Sequence, residues 1–290
     1  MRADMGFVTR FAPSPTGYLH KGHAFSALTA YEAARAAAGR FLLRIEDIDL
    51  TRCRPEYEAA IHEDLAWLGL QWETPVRRQS DHLDEYEAAL ESLRERDLLY
   101  RCFRTRREVM DEISRAPHGS GEGPDEVIFR GSPLAAEEEA ELLAQGRPFA
   151  WRLSLDRARE ALGAEWDRLR FLEEGEGEVR ARPETAGDVV LGRKDVGVAY
   201  HLAVVWDDTL QGVTHVIRGA DLFDATHIQR LLQALLGLPT PVYRHHRLLT
   251  GPDGRRFAKR DRAQTLRDLR ASGVNAHDLR RELGFGEANP

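Results

Sequence analysis

Short apolar runs separated by Pro, Gly and charged positions predict an α/β chain. Phe7-Val-Thr-Arg-Phe11 is a β-type run. Pro13, Pro15 and Gly17 then interrupt regular structure. From Gly22 to Ala38 the alanine-rich stretch carries helical spacing, and Gly39 is placed to cap its C-terminus. Arg40-Phe-Leu-Leu-Arg-Ile45 reads as a second strand. Strand, turn, helix and strand within about 40 residues form a βαβ unit and hence a parallel sheet.

Pro55 to Leu68 and Asp84 to Leu98 read as amphipathic helices. Between about 100 and 185 the composition shifts: Gly119-Ser-Gly-Glu-Gly-Pro124, a glutamate run at 137–139 and Glu173-Glu-Gly-Glu-Gly-Glu178 predict an insertion with exposed loops. A β-type pattern returns in Asp188-Val-Val-Leu191 and continues through Ala199-Tyr-His-Leu-Ala-Val-Val-Trp206 and Val213-Thr-His-Val-Ile217. Ala225 to Leu236 reads as a helix ended by Gly237 and Pro239, and the last 35 residues read as helical and basic.

The 290 residues accommodate one large domain or two modest ones. No apolar run approaches the roughly 18 residues of a membrane span, and Met1 to Met5 holds no signal-peptide core. A cytoplasmic protein with no membrane partner is expected. Cys53 and Cys102 lie too far apart for a metal spacing and are expected as reduced thiols. The net charge of −7 argues against a nucleic-acid partner. Against that, Arg244 to Arg270 holds nine Arg/Lys and three Asp, a local positive patch suited to phosphate.

The chemistry gathers at a few positions. His20 and His23 flank Gly22 at the start of a helix, where the helix N-terminus favours anions, glycine permits close backbone approach and two imidazoles can donate to phosphate oxygens. The plain alternative is two surface histidines in a turn. Gly251-Pro-Asp-Gly254 is a turn signal before the basic loop Arg255-Arg-Phe-Ala-Lys-Arg260, whose Lys259 could close on a polyphosphate. Glu46 follows the second strand, where it could grip an ammonium group; Asp47 and Asp49 could cap the next helix, the better reading for Asp49. Arg218 ends a strand and offers a fork for a carboxylate, and Tyr200 opens another strand and could bond the same ligand. An ordinary core tyrosine and a structural ion pair remain open for these two.

The stretch Arg10 to His23 resembles the H-I-G-H signature region of class I aminoacyl-tRNA synthetases, and Arg256-Phe-Ala-Lys-Arg260 resembles their K-M-S-K-S loop. Arg10-Phe-Ala-Pro-Ser-Pro-Thr-Gly17, Leu43-Arg-Ile-Glu-Asp47, Tyr200 to Asp208 and Gly212 to Asp221 resemble the glutamyl branch in particular. The resemblance implies a Rossmann-like, parallel-sheet α/β catalytic domain with an inserted α+β subdomain and a short C-terminal helical region. The expected division is 1–100 and 186–240 for the two Rossmann halves, 101–185 for the insertion, and 241–290 for the mobile basic loop and C-terminal helices. The sequence ends about 30 residues after its loop motif, so it resembles a truncated sub-branch without the C-terminal anticodon-reading domain of usual domain length.

That sub-branch activates L-glutamate with ATP and Mg²⁺ without tRNA, then transfers glutamate to the queuosine base in the anticodon of tRNA(Asp). The resemblance implies that Arg10, Ser14, Glu46, Tyr200 and Arg218 bind glutamate. It likewise implies that His20, Gly22, His23, Arg256 and Lys259 bind ATP, with His20, His23 and Lys259 catalytic. Arg256 and Ala258 depart from the Lys and Ser of the loop motif. The family's zinc pattern here reads Cys102-Phe-Arg104, then Phe129 and Pro133, and one thiolate cannot make a tetrahedral site, so no zinc is expected. Alternatives are a truncated synthetase charging the tRNA 3′ end, another H-x-G-H nucleotidyltransferase acting on a small molecule, and a non-catalytic tRNA-binding relic. With no heptad pattern, a monomer is expected.

Overall fold

In the computed structural model, which describes residues 6–105, 108, 129–193, 197–249 and 264–286, the first βαβ unit forms as its pattern predicts. Strand β1 (Val8–Phe11) is buried at every position, as a strand covered on both faces must be. Helix α1 (Lys21–Ala36) crosses over to β2 (Arg40–Ile45), which pairs parallel to β1 with Val8 opposite Arg40 and Phe11 opposite Leu43. Gly39 does not cap α1 as expected. The C-cap is Ala37, and the left-handed residue is Ala38 at φ +47°. Glycine is required at 39 for a different reason: a Cβ there would sit 2.2 Å from the carbonyl oxygen of Phe7.

Helix α2 (Pro55–Trp67), the short β3 (Arg77–Arg78) on the edge of β2, and α3 (Leu83–Glu95) follow. Helix α2 has Arg54 at its N-cap and no side-chain cap. Asp49 instead closes a local turn, accepting from Thr51 Oγ1 at 2.6 Å and Arg52 Nε at 2.6 Å. Asp47 accepts from the Ser80 backbone N–H and hydroxyl and from Arg78 Nη2.

A separate antiparallel sheet runs in the order β4 (Leu99–Cys102), β5 (Ala150–Leu153), β8 (Val190–Arg193), β9 (Gly197–Val198). The glutamate run at 137–139 opens helix α4 (Ala136–Ala144), and α5 (Leu155–Leu162) follows β5. The stretch 119–124 lies outside the described residues. Strands β6 (Arg170–Glu173) and β7 (Gly177–Arg180) form a hairpin that joins a different sheet, ordered β10 (His215–Gly219), β11 (Val242–His246), β6, β7. The first residue of the glutamate-rich stretch expected to be an exposed loop, Glu173, is therefore buried.

The apolar run at 199–206 is a helix, not the expected strand: α6 (Tyr200–Leu210). An apolar run of this length is ambiguous by periodicity alone, and the acidic pair Asp207-Asp208 that follows is buried with it. Helix α7 (Phe223–Leu235) packs beside α6. The Thr214 hydroxyl accepts from the Val8 N–H at 2.9 Å, and the Thr214 N–H donates to the Val8 carbonyl at 2.9 Å, setting β1 beside β10. Helices α8 (Leu266–Ala271) and α9 (Ala276–Glu282) close the chain against α1 and α2 through Leu266, Leu269, Leu279 and Leu283.

On α2, both carboxylate oxygens of Asp64 are buried without a hydrogen-bond partner, and Arg270 Nη2 of α8 stands 3.6 Å away. Burial, only partly offset by Arg270, pushes this carboxyl from 3.8 up to about 6. A carboxyl raised in the folded state adds stability below its unfolded value and loses it as pH rises through the folded one. Asp64→Asn is expected to melt with wild type below about pH 4, and above pH 7 to be more stable by on the order of 1–3 kcal/mol. Parallel denaturation curves across pH check this; a constant offset would disprove it.

Candidate active site

The carboxyl ends of β1, β2, β10 and β11 open on one pocket of about 460 Å³, the expected place for a ligand in a parallel sheet. Arg10, Ser14, His20, Gly22, His23, Glu46, Tyr200 and Arg218 all line it. The structure thus gathers eight of the ten sequence-derived site residues. Arg256 and Lys259 lie outside the described residues, as does the whole stretch 250–263. On its near side Leu249 lines the pocket, and on its far side Thr265 bridges to His20.

His20 and His23 are ordered by the helix they begin. His20 is the N-cap of α1, and its Nδ1 accepts from the Gly22 N–H at 3.1 Å. His23 Nδ1 accepts from the His20 N–H at 3.2 Å. Imidazoles here perform the reciprocal capping usually done by Ser/Thr and Glu/Gln. A nitrogen that accepts carries no proton, so each neutral ring bears its hydrogen on Nε2 and is a donor there. The two rings lie with centroids 3.8 Å apart and their planes tilted by 32°. Gly22 matters for this arrangement, because a Cβ would lie 2.9 Å from His20 Cε1 and 3.0 Å from its Nδ1. The pocket thus combines ring donors with the partial positive charge of a helix start.

The opposite side is built on buried ions. Arg44 of β2 is fully buried; its Nη1 donates to Asp208 Oδ1 at 2.7 Å and Gln211 Oε1 at 3.0 Å, and its Nη2 to Glu46 Oε1 at 3.0 Å. Asp207 Oδ2 lies 3.6 Å from Arg44 Nε. Arg10 Nε donates to the same Asp208 Oδ1 at 2.9 Å. Burial alone would raise the Asp208 carboxyl, but Arg10 and Arg44 together hold it below its usual range. For Glu46 burial wins: its carboxyl is raised despite Arg44 and Arg10. Burial also raises the Tyr200 hydroxyl, which stays protonated at neutral pH. Tyr200 opens a helix rather than a strand, yet lines the pocket all the same.

Arg218 is 4% exposed. Its Nε donates to His245 Nε2 at 3.1 Å and its Nη2 to Thr226 Oγ1 at 2.7 Å, while Nη1 is buried without a partner. Neither acceptor is a carboxylate, so the ion-pair reading of Arg218 does not hold for these contacts. Sequence reasoning assigned no role to Arg44, Asp208, Thr226 or His245. Arg44 did carry a signal: a charged side chain between the apolar Leu43 and Ile45 of a buried strand demands a partner. Thr226 and His245 gave none, since their contacts with Arg218 depend on separate elements meeting.

The pocket pairs a carboxylate-and-guanidinium wall with a helix start crowned by two histidines. Residues 7–284 match the family described as tRNA synthetases class I (E and Q), catalytic domain, and the chain belongs to that family. It is 49% identical over 286 residues to the glutamyl-Q tRNA(Asp) synthetase of Rhodobacter capsulatus, an alignment covering 96% of this chain and 100% of that protein. It is 41% identical to glutamate–tRNA ligase 2 of Dinoroseobacter shibae, but spans only 58% of that protein's length. Crystal structures of glutamate tRNA ligases from Elizabethkingia meningosepticum, in complex with its amino acid, and Elizabethkingia anophelis superpose with TM-scores of 0.70 and 0.72 at 29% identity. In both cases 88% of this chain is covered and about half of the larger one.

Gly22→Ala is expected to displace the His20 ring and destabilise the protein by about 0.5–2 kcal/mol, the usual worth of an N-cap. Thermal denaturation measures it; an unchanged melting temperature would mean the ring moves aside freely.

Proposed function

We propose that this chain activates L-glutamate with ATP, forming glutamyl-adenylate without tRNA, and transfers the glutamate to the queuosine base in the anticodon of tRNA(Asp). The observation that carries the first half is Arg218, a buried guanidinium with one uncommitted donor, in the same pocket as the N-terminus of α1. The acceptor rests on the Rhodobacter capsulatus relative, whose whole length this chain matches.

In this reading Arg218 and Tyr200 take the side-chain carboxylate of glutamate, and Glu46 takes its ammonium group. Arg10 and Ser14 complete the amino-acid site. Arg10 and Glu46 each use part of their capacity on the buried network, so they are oriented before substrate arrives. The α-carboxylate oxygen attacks the α-phosphorus of ATP; the bond to the bridging oxygen breaks and pyrophosphate leaves. His20 and His23 donate from Nε2 to the phosphates, Gly22 lies beneath them, and Lys259 with Arg256 balances the charge of the departing pyrophosphate. A hydroxyl of the modified base then attacks the adenylate carbonyl and AMP leaves.

Magnesium enters with ATP. Among the described residues no three His, Cys, Asp or Glu side chains gather to hold a metal. Zinc is not required in this reading, since Cys102 alone keeps its place in the family's zinc pattern. We also propose the division into Rossmann halves at 1–100 and 186–240, an insertion at 101–185 and a C-terminal part at 241–290, with a monomer working in the cytoplasm; strand pairing crosses these bounds, since β8 and β9 join β4 and β5, and β6 and β7 join β11. No described helix is long and apolar enough to cross a membrane.

Glutamate-dependent ATP–pyrophosphate exchange without tRNA, followed by labelled transfer to queuosine-containing and queuosine-free tRNA(Asp), tests both halves. Exchange with transfer only to the modified tRNA is expected. Transfer to the terminal ribose would instead align the chain with the glutamate–tRNA ligases, and absence of exchange would reject the activating site. Arg218→Ala is expected to raise the glutamate KM on the order of 10²-fold while the ATP KM stays within about threefold.

A further inference from the structure

Behind the pocket, three side chains form a buried chain of hydrogen bonds ending at Arg218. Glu173 closes β6; its Oε1 accepts from the His245 backbone N–H at 2.7 Å and its Oε2 lies 2.8 Å from His245 Nδ1. The Glu173 and His245 side chains are 6% and 4% exposed. On the other edge of the ring, Nε2 lies 3.1 Å from Arg218 Nε and 3.3 Å from Thr226 Oγ1. The Tyr243 ring stands 5.5 Å from the guanidinium carbon.

The proton placement follows from what each atom can do. Arg218 Nε–H only donates, so His245 Nε2 must offer a lone pair. A neutral ring then carries its hydrogen on Nδ1, where Glu173 Oε2 accepts it. Burial first, and then the neighbouring guanidinium, hold His245 below the usual imidazole range, so the ring stays neutral. Glu173 spends both oxygens on His245, and one of those contacts selects the tautomer that Arg218 needs. The guanidinium is thereby fixed through Nε and Nη2, and Nη1 is the donor that no group among the described residues uses.

We infer that Glu173 and His245 are positioning residues: they lock the Arg218 guanidinium in the orientation that receives the side-chain carboxylate of the amino-acid substrate. The inference rests on the glutamate reading of the pocket. Neither residue touches substrate; both act through Arg218.

Glu173→Gln tests it with little change in size. A glutamine has one acceptor oxygen for two N–H groups. If that oxygen keeps the backbone N–H, its amide NH₂ faces Nδ1, and the ring hydrogen must move to Nε2, against Arg218. The expected result is a rise in the glutamate KM of about tenfold or more, an ATP KM within about twofold, and a shift of the His245 ring from the Nδ1–H to the Nε2–H pattern in long-range ¹H–¹⁵N correlation spectra. An unchanged glutamate KM, or equal rises for both substrates, would overturn the relay.

Should Glu173→Gln fail to fold, the pair His245→Gln and His245→Met decides. Glutamine can still accept from Arg218 Nε and is expected to keep the glutamate KM within about threefold, while methionine loses it; identical behaviour of the two refutes the inference. Wild-type protein without glutamate-dependent exchange would sink the glutamate reading instead. The relay is then judged by the ring tautomer alone, and an unshifted ring in Glu173→Gln rejects it.

Discussion

One buried guanidinium organises one side of the pocket. Arg44 has no contact with solvent and meets Glu46 and Asp208 at hydrogen-bond distance, with Asp207 at 3.6 Å. Taking such charges out of water costs several kcal/mol per ion unless geometry and hydrogen bonds compensate. Here the signs alternate from Arg10 through Asp208 and Arg44 to Glu46. Moving any one of them strands its neighbours, so the strand β2 that supplies Arg44 and the helix α6 that supplies Asp207 and Asp208 are held in one register. The orientation of the two pocket-lining groups, Arg10 and Glu46, is a by-product of that constraint.

The same economy recurs across the pocket. Each candidate group is tied to the protein on at least one side. His20 and His23 commit Nδ1 to the backbone. Arg218 commits Nε and Nη2. Groups fixed in this way need little reorganisation when charge develops, which is what an electrostatically catalysed phosphoryl-type displacement requires.

Much of this was legible in the sequence because it is local. The βαβ pattern from Phe7 to Ile45, the glycine between two histidines, and Glu46 and Arg218 beside strand-like runs can all be read within a few residues. The errors share a cause too. Residues 199–206 are apolar enough for either a strand or a helix, and only packing against α3 and α7 decides. Asp49 carries the sequence signal of a helix cap, but the chain makes another turn first and α2 begins at Pro55. Glu173 sits at the head of a glycine- and glutamate-rich stretch that reads as solvent-exposed. It is drawn inside because β6 pairs with β11 at Tyr243 and places a carboxylate beside His245. Nothing within the stretch itself signals that pairing.

The contact between Val8 and Thr214 has a wider consequence. Arg10 and Glu46 belong to the strands on one side of this seam, and Arg218 and His245 to those on the other. The two banks are joined at Val8 and Thr214 by backbone and hydroxyl hydrogen bonds and by the Phe7 ring stacked on His215, and their charged groups are pinned by buried partners. The width of the gap is therefore a property of the sheet, not of side-chain reach. A molecule grasped from both banks is measured along its length, so a homologue one methylene shorter would leave one bank unfilled, a mismatch worth about 1–3 kcal/mol in such sites.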